Sequence, residues 1–287
     1  MKVIFSRKGS DGGNLKNPSP ILEGKSLTSI PIPAVGTEST NLKYGNLFFD
    51  QDTKLDRLMT DLKFQLASGK SISTAPAHLD PDIRKDTLKR DGKWRGLFGS
   101  DLKWEKYLQK TNVKEGDIFL FYGWFREVKK TSEGFDWLYL EKTSYPTDKQ
   151  LIFGYLQIGK ILRKGDKFEQ WMEYHPHYEE SGIVSNGYAL YVAAESLSFD
   201  KRRSGFGTFV YDKESAGFLT LTKKGLSRSR WDLPSFFKDH ILINFKHDPW
   251  ANGYFQSPMR GQEMVVDDCS EINRWIENLF KSVKTEN

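Results

Sequence analysis

A single cysteine, Cys269, stands in 287 residues, so no intrachain disulfide and no multi-thiolate zinc site can form. Thiol scarcity of this kind leads us to expect a reducing, cytoplasmic setting. No apolar run reaches the length of a membrane span, so no membrane association is expected. The first residues, MKVIFSRKGSDGG, hold only Val3 to Phe5 before charges and glycines, which is not the apolar stretch of a signal peptide. Internal repeats and low-complexity tracts are absent as well, which excludes solenoid and propeller architectures. Neither charge dominates: 43 basic against 38 acidic residues leave a formal charge of +5, which permits a polyanionic partner without requiring one. What is plentiful is aromatic. With 8 Trp, 12 Tyr and 20 Phe, large rigid rings must fill the core or line a cleft.

Apolar patterning predicts one compact α+β domain over residues 1–287, with a β-rich, barrel-like centre at about 116–222 and flanking helices. Residues 2–6 read as a strand that runs into the glycine-rich loop Arg7-Lys8-Gly9-Ser10-Asp11-Gly12-Gly13. The prolines between Pro18 and Pro33 favour extended segments. Leu55, Leu58, Met59, Leu62 and Leu66 fall on one helical stripe. A second helix is expected over 100–110 with Ser100 as N-cap. Two almost wholly apolar stretches, beginning at Gly116-Asp117 and at Gln150, read as adjacent core strands of a barrel. Shorter strands are expected at 188–193, 207–211 and 217–221, with Glu263 to Asp267 as a candidate for the strand that closes the sheet. A docking helix over 270–284 carries Ile272, Trp275, Ile276, Leu279, Phe280 and Val283, with a frayed tail after it.

Only five histidines occur, and three of them lie in His78-Leu-Asp80-Pro-Asp82 and His175-Pro-His177. Side chains at i and i+2 of an extended backbone share a face, so each motif can aim imidazole or carboxylate groups at one point. His78, Asp80, Asp82, His175 and His177 therefore form a candidate ligand set for a divalent metal with open positions. Without a metal, His78, Asp80, His175, His177 and Asp11 would serve acid–base chemistry. The plainer alternative makes the first motif a capped turn and the second a proline-stiffened loop facing solvent. His247-Asp248 offers a further ligand or base, or a packed loop.

Candidate substrate-binding residues fall in three places. Arg7 and Lys8 offer a bidentate fork and a point charge for a phosphate. Trp124, followed by Arg126, offers a wall for base stacking. Arg228, Arg230 and Trp231, like Lys201-Arg202-Arg203 before Phe206, mix cations with rings as nucleic-acid surfaces do, although a solvated charged face has the same composition. Glu263 and Asp267, four apart, fit one face of either a helix or a strand, so their spacing assigns no carboxylate pair.

Several short blocks, taken together and in order, carry a resemblance. They are SRKGSDGG (6–13), PSPI (18–21), SIPIP (29–33), HLDPD (78–82), KWRGLFG (93–99), GDIFLFYGWFRE (116–127), IFGYLQIG (152–159), HPH (175–177), LTKKGLSRSRWDLP (221–234) and GQEMVVD (261–267). The sequence resembles the third nucleotide-modification-associated domain family from Val3 to about Trp275. That resemblance implies a setting in base or nucleotide modification in bacteria and their phages, with nucleic acid or a nucleotide as partner and other modification-system proteins nearby. The two apolar strands are also similar to the strand pair of PUA/ASCH-like barrels that bind RNA or flipped modified bases. Three functional expectations follow: an enzyme acting on a base or nucleotide through a His/Asp-lined polar or metal site, a non-catalytic reader of a modified base in an aromatic pocket, or a phage-defence component.

Overall fold

Two apolar stretches, Ile118–Lys130 and Lys149–Leu162, set the centre of the fold. Their leading halves lack period-2 alternation because both faces are covered, as in strands buried inside a layered fold. The computed structural model describes residues 1–286 except 35–40, 67–68, 91, 139–147, 179–186, 244–246, 251 and 259–262. In chain order the strands are β1 (Val3–Arg7), β2 (Ser19–Ile21), β3 (Lys25–Ser26), β4 (Ile32–Pro33), β5 (Ala77–His78), β6 (Leu97–Ser100), β7 (Ile118–Lys130) and β8 (Phe135–Trp137). They continue with β9 (Lys149–Leu162), β10 (Ala189–Ala193), β11 (Phe206–Tyr211), β12 (Arg230–Trp231), β13 (Phe255–Gln256), β14 (Glu263–Val266) and β15 (Thr285–Glu286). The α-helices among the described residues are α1 (Leu55–Asp61), α2 (Leu102–Lys110), α3 (Ala216–Leu219) and α4 (Ser270–Ser282). The chain is a single compact domain, mostly sheet.

The main sheet runs β14-β1-β7-β9-β10-β6. β1 lies parallel to β7, with Val3 opposite Ile118, and antiparallel to β14, with Ser6 opposite Glu263. β7 and β9 pair antiparallel, and their register shifts between Phe121 and Tyr122. β11 joins β9 at Gly154, where a Cβ would come within 2.3 Å of Ile83 Cδ1 and 2.9 Å of the Gly207 carbonyl oxygen. Only glycine lets the backbones come so close.

The expected barrel is not found: β14 and β6, at the two ends of the strand order, do not pair, and no closed barrel exists among the described residues. β9 pairs with β7 and β11 through its first half and with β10 beyond Gln157, so the sheet forks instead of rolling up. The expected strand at 217–221 is instead mostly the short helix α3, whose first turn follows an Asp212–Ser215 hydrogen-bonded bend. Ser100 ends β6, and Asp101 is the N-cap of α2. α1 stops at Asp61, before Leu66, because Lys63 adopts a left-handed φ of 57°. The tail is not frayed either: Thr285 and Glu286 pair with β11, and Arg203 Nη1 donates to the Val283 carbonyl and to Thr285 Oγ1.

α4 docks through buried Ile272, Ile276, Leu279 and Phe280, the stripe an amphipathic helix needs. Its N-cap is Cys269, whose sulfur accepts the Ile272 N–H at 3.5 Å. No helix among the described residues is long and apolar enough to cross a membrane.

Three apolar clusters result. One surrounds the main sheet, a second gathers around α1 with Tyr44, Phe49, Ala77 and Leu79, and a third joins Leu97, Leu162, Met172, Leu190 and Val192. The polar site described next lies where they meet. Phe5 and Phe98 of the first cluster, Ala77 and Leu79 of the second and Met172 of the third each sit close in sequence to one of its residues.

Candidate functional site

Ala77 and Leu79 turn into the second apolar cluster, and alternation along the extended backbone puts His78 and Asp80 on the opposite, polar side. The His175–His177 loop meets them there. His177 Nε2 lies 3.6 Å from Asp80 Oδ2, and the His78 and His177 rings pack edge to face with centroids 5.2 Å apart. His78, Asp80 and His177 each offer a ligand atom, and these three atoms lie within 4.8 Å of one another. Two imidazoles and one carboxylate gathered this closely suit a divalent metal that keeps open coordination positions.

His175 stands behind this trio. Its side chain is fully buried, its Nδ1 accepts the backbone N–H of His177 at 3.3 Å, and its Nε2 points at Asp80 Oδ1 from 3.4 Å. Burial pushes the His175 imidazole down in pKa, toward the neutral form, and an accepting Nδ1 assigns the proton to Nε2, facing Asp80. Asp80 Oδ1 also accepts the Gly99 N–H at 2.8 Å. One carboxylate oxygen is thus held from behind while the other faces His177, which is how outer partners orient a ligating carboxylate. Burial raises the Asp80 carboxyl, but His175, His177 and the charge of Lys8 outweigh it and hold the group well below the usual carboxylate range.

Asp82, the fifth residue of the first motif, is placed elsewhere. Its backbone bridges Leu97 in both directions, and its buried carboxylate takes Arg90 bidentately together with the Tyr174 hydroxyl. Those partners occupy both oxygens, so Asp82 braces the motif and does not belong to the cluster of three.

His78, Asp80 and His177 line a cavity of about 240 Å³, and the glycine-rich loop after β1 supplies Arg7, Lys8, Gly9 and Asp11 to its wall. Gly9 has φ +80°, and a Cβ there would strike Ser29 Oγ, so the loop needs glycine at this point. Asp11 accepts the N–H groups of Gly13 and Asn14 and so fixes the turn. Lys8 Nζ lies 3.2 Å from Glu263 Oε1 and 4.4 Å from the centroid of the Phe98 ring. Glu263 was not singled out by spacing; the β1–β14 pairing brings it in, opposite Ser6, whose hydroxyl donates to Oε1. Burial raises the Glu263 carboxyl, and Lys8 opposes that only in part. Ile32, Gly99, Ser100, Asp101, Trp104 and Tyr188 complete the wall, and none of them was marked as a functional residue in the sequence. Among the described residues, Ser100 Oγ and Glu263 Oε2 are buried without a hydrogen-bond partner. Orphaned polar atoms of this kind are costly unless an ion, water or ligand meets them.

A family model described as nucleotide modification associated domain 3 matches residues 2–267. The chain belongs to that family. No curated protein matches the chain, and no solved structure does.

In this member of the nucleotide modification associated domain 3 family, the remaining candidate residues separate into two groups. Trp124, Arg126 and Arg228 come together: Arg228 lies 3.9 Å over the Trp124 ring, and Arg126 Nε donates to Asp148 at 2.6 Å. Trp231 does not join them. It is completely buried between Phe5, Tyr122 and Phe255 and donates its indole N–H to Gln150 Oε1, so it is a core residue and is not available to stack on a base. Arg230 faces Tyr254, 5.2 Å from its ring, and does not line the cavity. His247 is exposed, and Asp248 caps the turn to Trp250 and pairs with Lys238. Arg202 and Arg203 are engaged with Asp200.

Proposed function

We propose that the chain is an enzyme that modifies a nucleotide, or a base within nucleic acid, and that the cavity beside β1 is its reaction centre. The observation that carries this reading is the gathering of His78, Asp80 and His177 on one wall of a polar cavity whose other wall holds Arg7, Lys8 and Glu263. In this reading the three ligands hold a divalent metal, and His175 fixes the carboxylate from behind. Such an ion activates water or polarises a phosphoryl or carbonyl oxygen. Arg7 and Lys8 receive substrate phosphate, and Asp11 contributes by shaping the loop that presents them. Residues 116–222 serve as the β-rich scaffold, with 270–284 as the helix docked on it. The long β7–β9 pair is the feature that favours a PUA/ASCH-like origin for that scaffold. The reader alternative relies on Trp124 as an open stacking wall, and the Arg228 guanidinium over that ring weighs against it.

Elemental analysis of the purified protein, before and after incubation with manganese, iron or zinc, tests the metal centre. Near-stoichiometric metal that is lost in the His78→Ala, His177→Ala double variant is expected. Nucleoside mass spectrometry of DNA and RNA from cells with and without the chain tests the modification. Metal-free protein together with an unchanged nucleoside profile would overturn the proposal.

A further inference from the structure

Outside the cavity the arginines form a unit of their own. Arg228 covers the Trp124 ring, Arg126 and Arg228 share the Asp148 carboxylate at 2.6 and 4.0 Å, and Arg7 connects this group to the cavity wall. The glycine-rich loop lies alongside, since a Cβ on Gly12 would stand 3.9 Å from Arg228 Nη2. These charges are partly sheltered, with side-chain exposures of 21% for Arg126, 36% for Arg228 and 22% for Asp148. Arg228 is pulled below its ordinary pKa by burial and by the repulsion of Arg7 and Arg126, against the attraction of Asp148 and Asp11. Arg126 and Arg228 thus share one carboxylate, that of Asp148, an arrangement that an added anion relieves. Trp124 Nε1, buried with no hydrogen-bond partner among the described residues, leaves a donor unused at the same place.

We infer that this cluster takes the phosphodiester groups flanking the nucleotide in the cavity, so that the substrate is a single-stranded polynucleotide and not a free nucleotide. The inference rests on the cavity being the nucleotide site. Its volume of about 240 Å³ lies below the roughly 300–1,000 Å³ of pockets for drug-sized ligands, so it admits one base and excludes a base pair. A strand threaded past it must lay its backbone on whatever cations adjoin the mouth, and Arg7 is where cavity and cluster meet.

The test is fluorescence anisotropy of a labelled ten-nucleotide oligothymidylate and an oligouridylate, with thymidine and uridine monophosphates as competitors. EDTA is present throughout, so the outcome does not depend on the metal centre. Single-strand contacts contribute about 0.7 to the log–log salt slope per phosphate, so three arginines predict a slope of about −2 and roughly 20-fold weaker binding at 200 than at 50 mM salt. Arg228→Ala should reduce the slope by about 0.7. Asp148→Asn, which removes a competing anion, should tighten binding, a gain that misfolding cannot produce. Tight, salt-dependent binding of either strand supports the inference. Oligonucleotides that bind no better than the mononucleotides, or affinities unmoved by both substitutions, overturn it. Metal-loaded protein with that second outcome would sink this inference and leave the reaction centre standing.

Discussion

A methyl group added at Gly99 should disable the proposed metal centre while leaving its three candidate ligands unmutated. A Cβ on Gly99 would stand 2.1 Å from His177 Cδ2 and 2.2 Å from its Cγ. Ordinary carbon contacts lie near 3.5–4.0 Å, so the imidazole must retreat by about 1.5 Å. Gly99 is not in the left-handed region, so alanine adds no backbone strain there and the perturbation falls on the ring. Ligand positions in a metal site tolerate about 0.2 Å, so the displacement removes His177 from coordination. We expect metal affinity in Gly99→Ala to fall by about 100-fold, with overpacking lowering stability by about 1–3 kcal/mol. Competitive titration of manganese or zinc against a chromophoric chelator measures the first quantity, and urea unfolding of the same sample measures the second. A folded Gly99→Ala protein that binds metal within twofold of the unaltered chain would refute the assignment of His177 as a ligand.

Three further outcomes follow from the same geometry. Asp82→Asn leaves buried Arg90 without its carboxylate and should lower unfolding stability by about 3–5 kcal/mol with metal stoichiometry unchanged; lost metal with intact stability would contradict its bracing role. His175→Ala should weaken metal binding about 10–100-fold while the bound metal keeps its three protein ligands, and an unaltered affinity would remove His175 from the support of Asp80. Glu263 titrates above its ordinary value in the folded chain, so between those two values the folded state keeps a proton that the unfolded state has lost. Its contribution to stability is full below the ordinary glutamate value and is lost as pH rises through the raised one. Thermal unfolding of Glu263→Gln against pH should lack that decline, and a profile parallel to the unaltered chain would show that Glu263 does not titrate in this window.

The two histidine motifs were legible because scarcity made them stand out and because alternation fixes which side chains share a face. That logic held for His78 and Asp80 and failed at Asp82, whose backbone is captured by Leu97. Helix α4 and strands β1, β7 and β9 were legible for a similar local reason, since each writes its burial into its own periodicity or apolar length. Glu263, Ser100 and Gly99 reach the site only through strand pairing, which carries no mark at their own positions. Trp231 shows the converse. Preceded by Arg228 and Arg230 it reads as an interaction surface, but β12 turns the ring inward while Arg230 faces out. The barrel failed because the sequence displays two adjoining strands and says nothing of where β10 and β11 divide between them the rest of β9.

Lys8 and Glu263 meet across 255 positions, and the rest of the cavity wall comes from Arg7 and from residues between the two. A ligand of this cavity therefore meets its full wall only after β1 and β14 have paired. Occupancy thus doubles as a report on structural completeness. A ligand held at a hundred times its dissociation constant would add about 2.7 kcal/mol to the stability of the entire molecule.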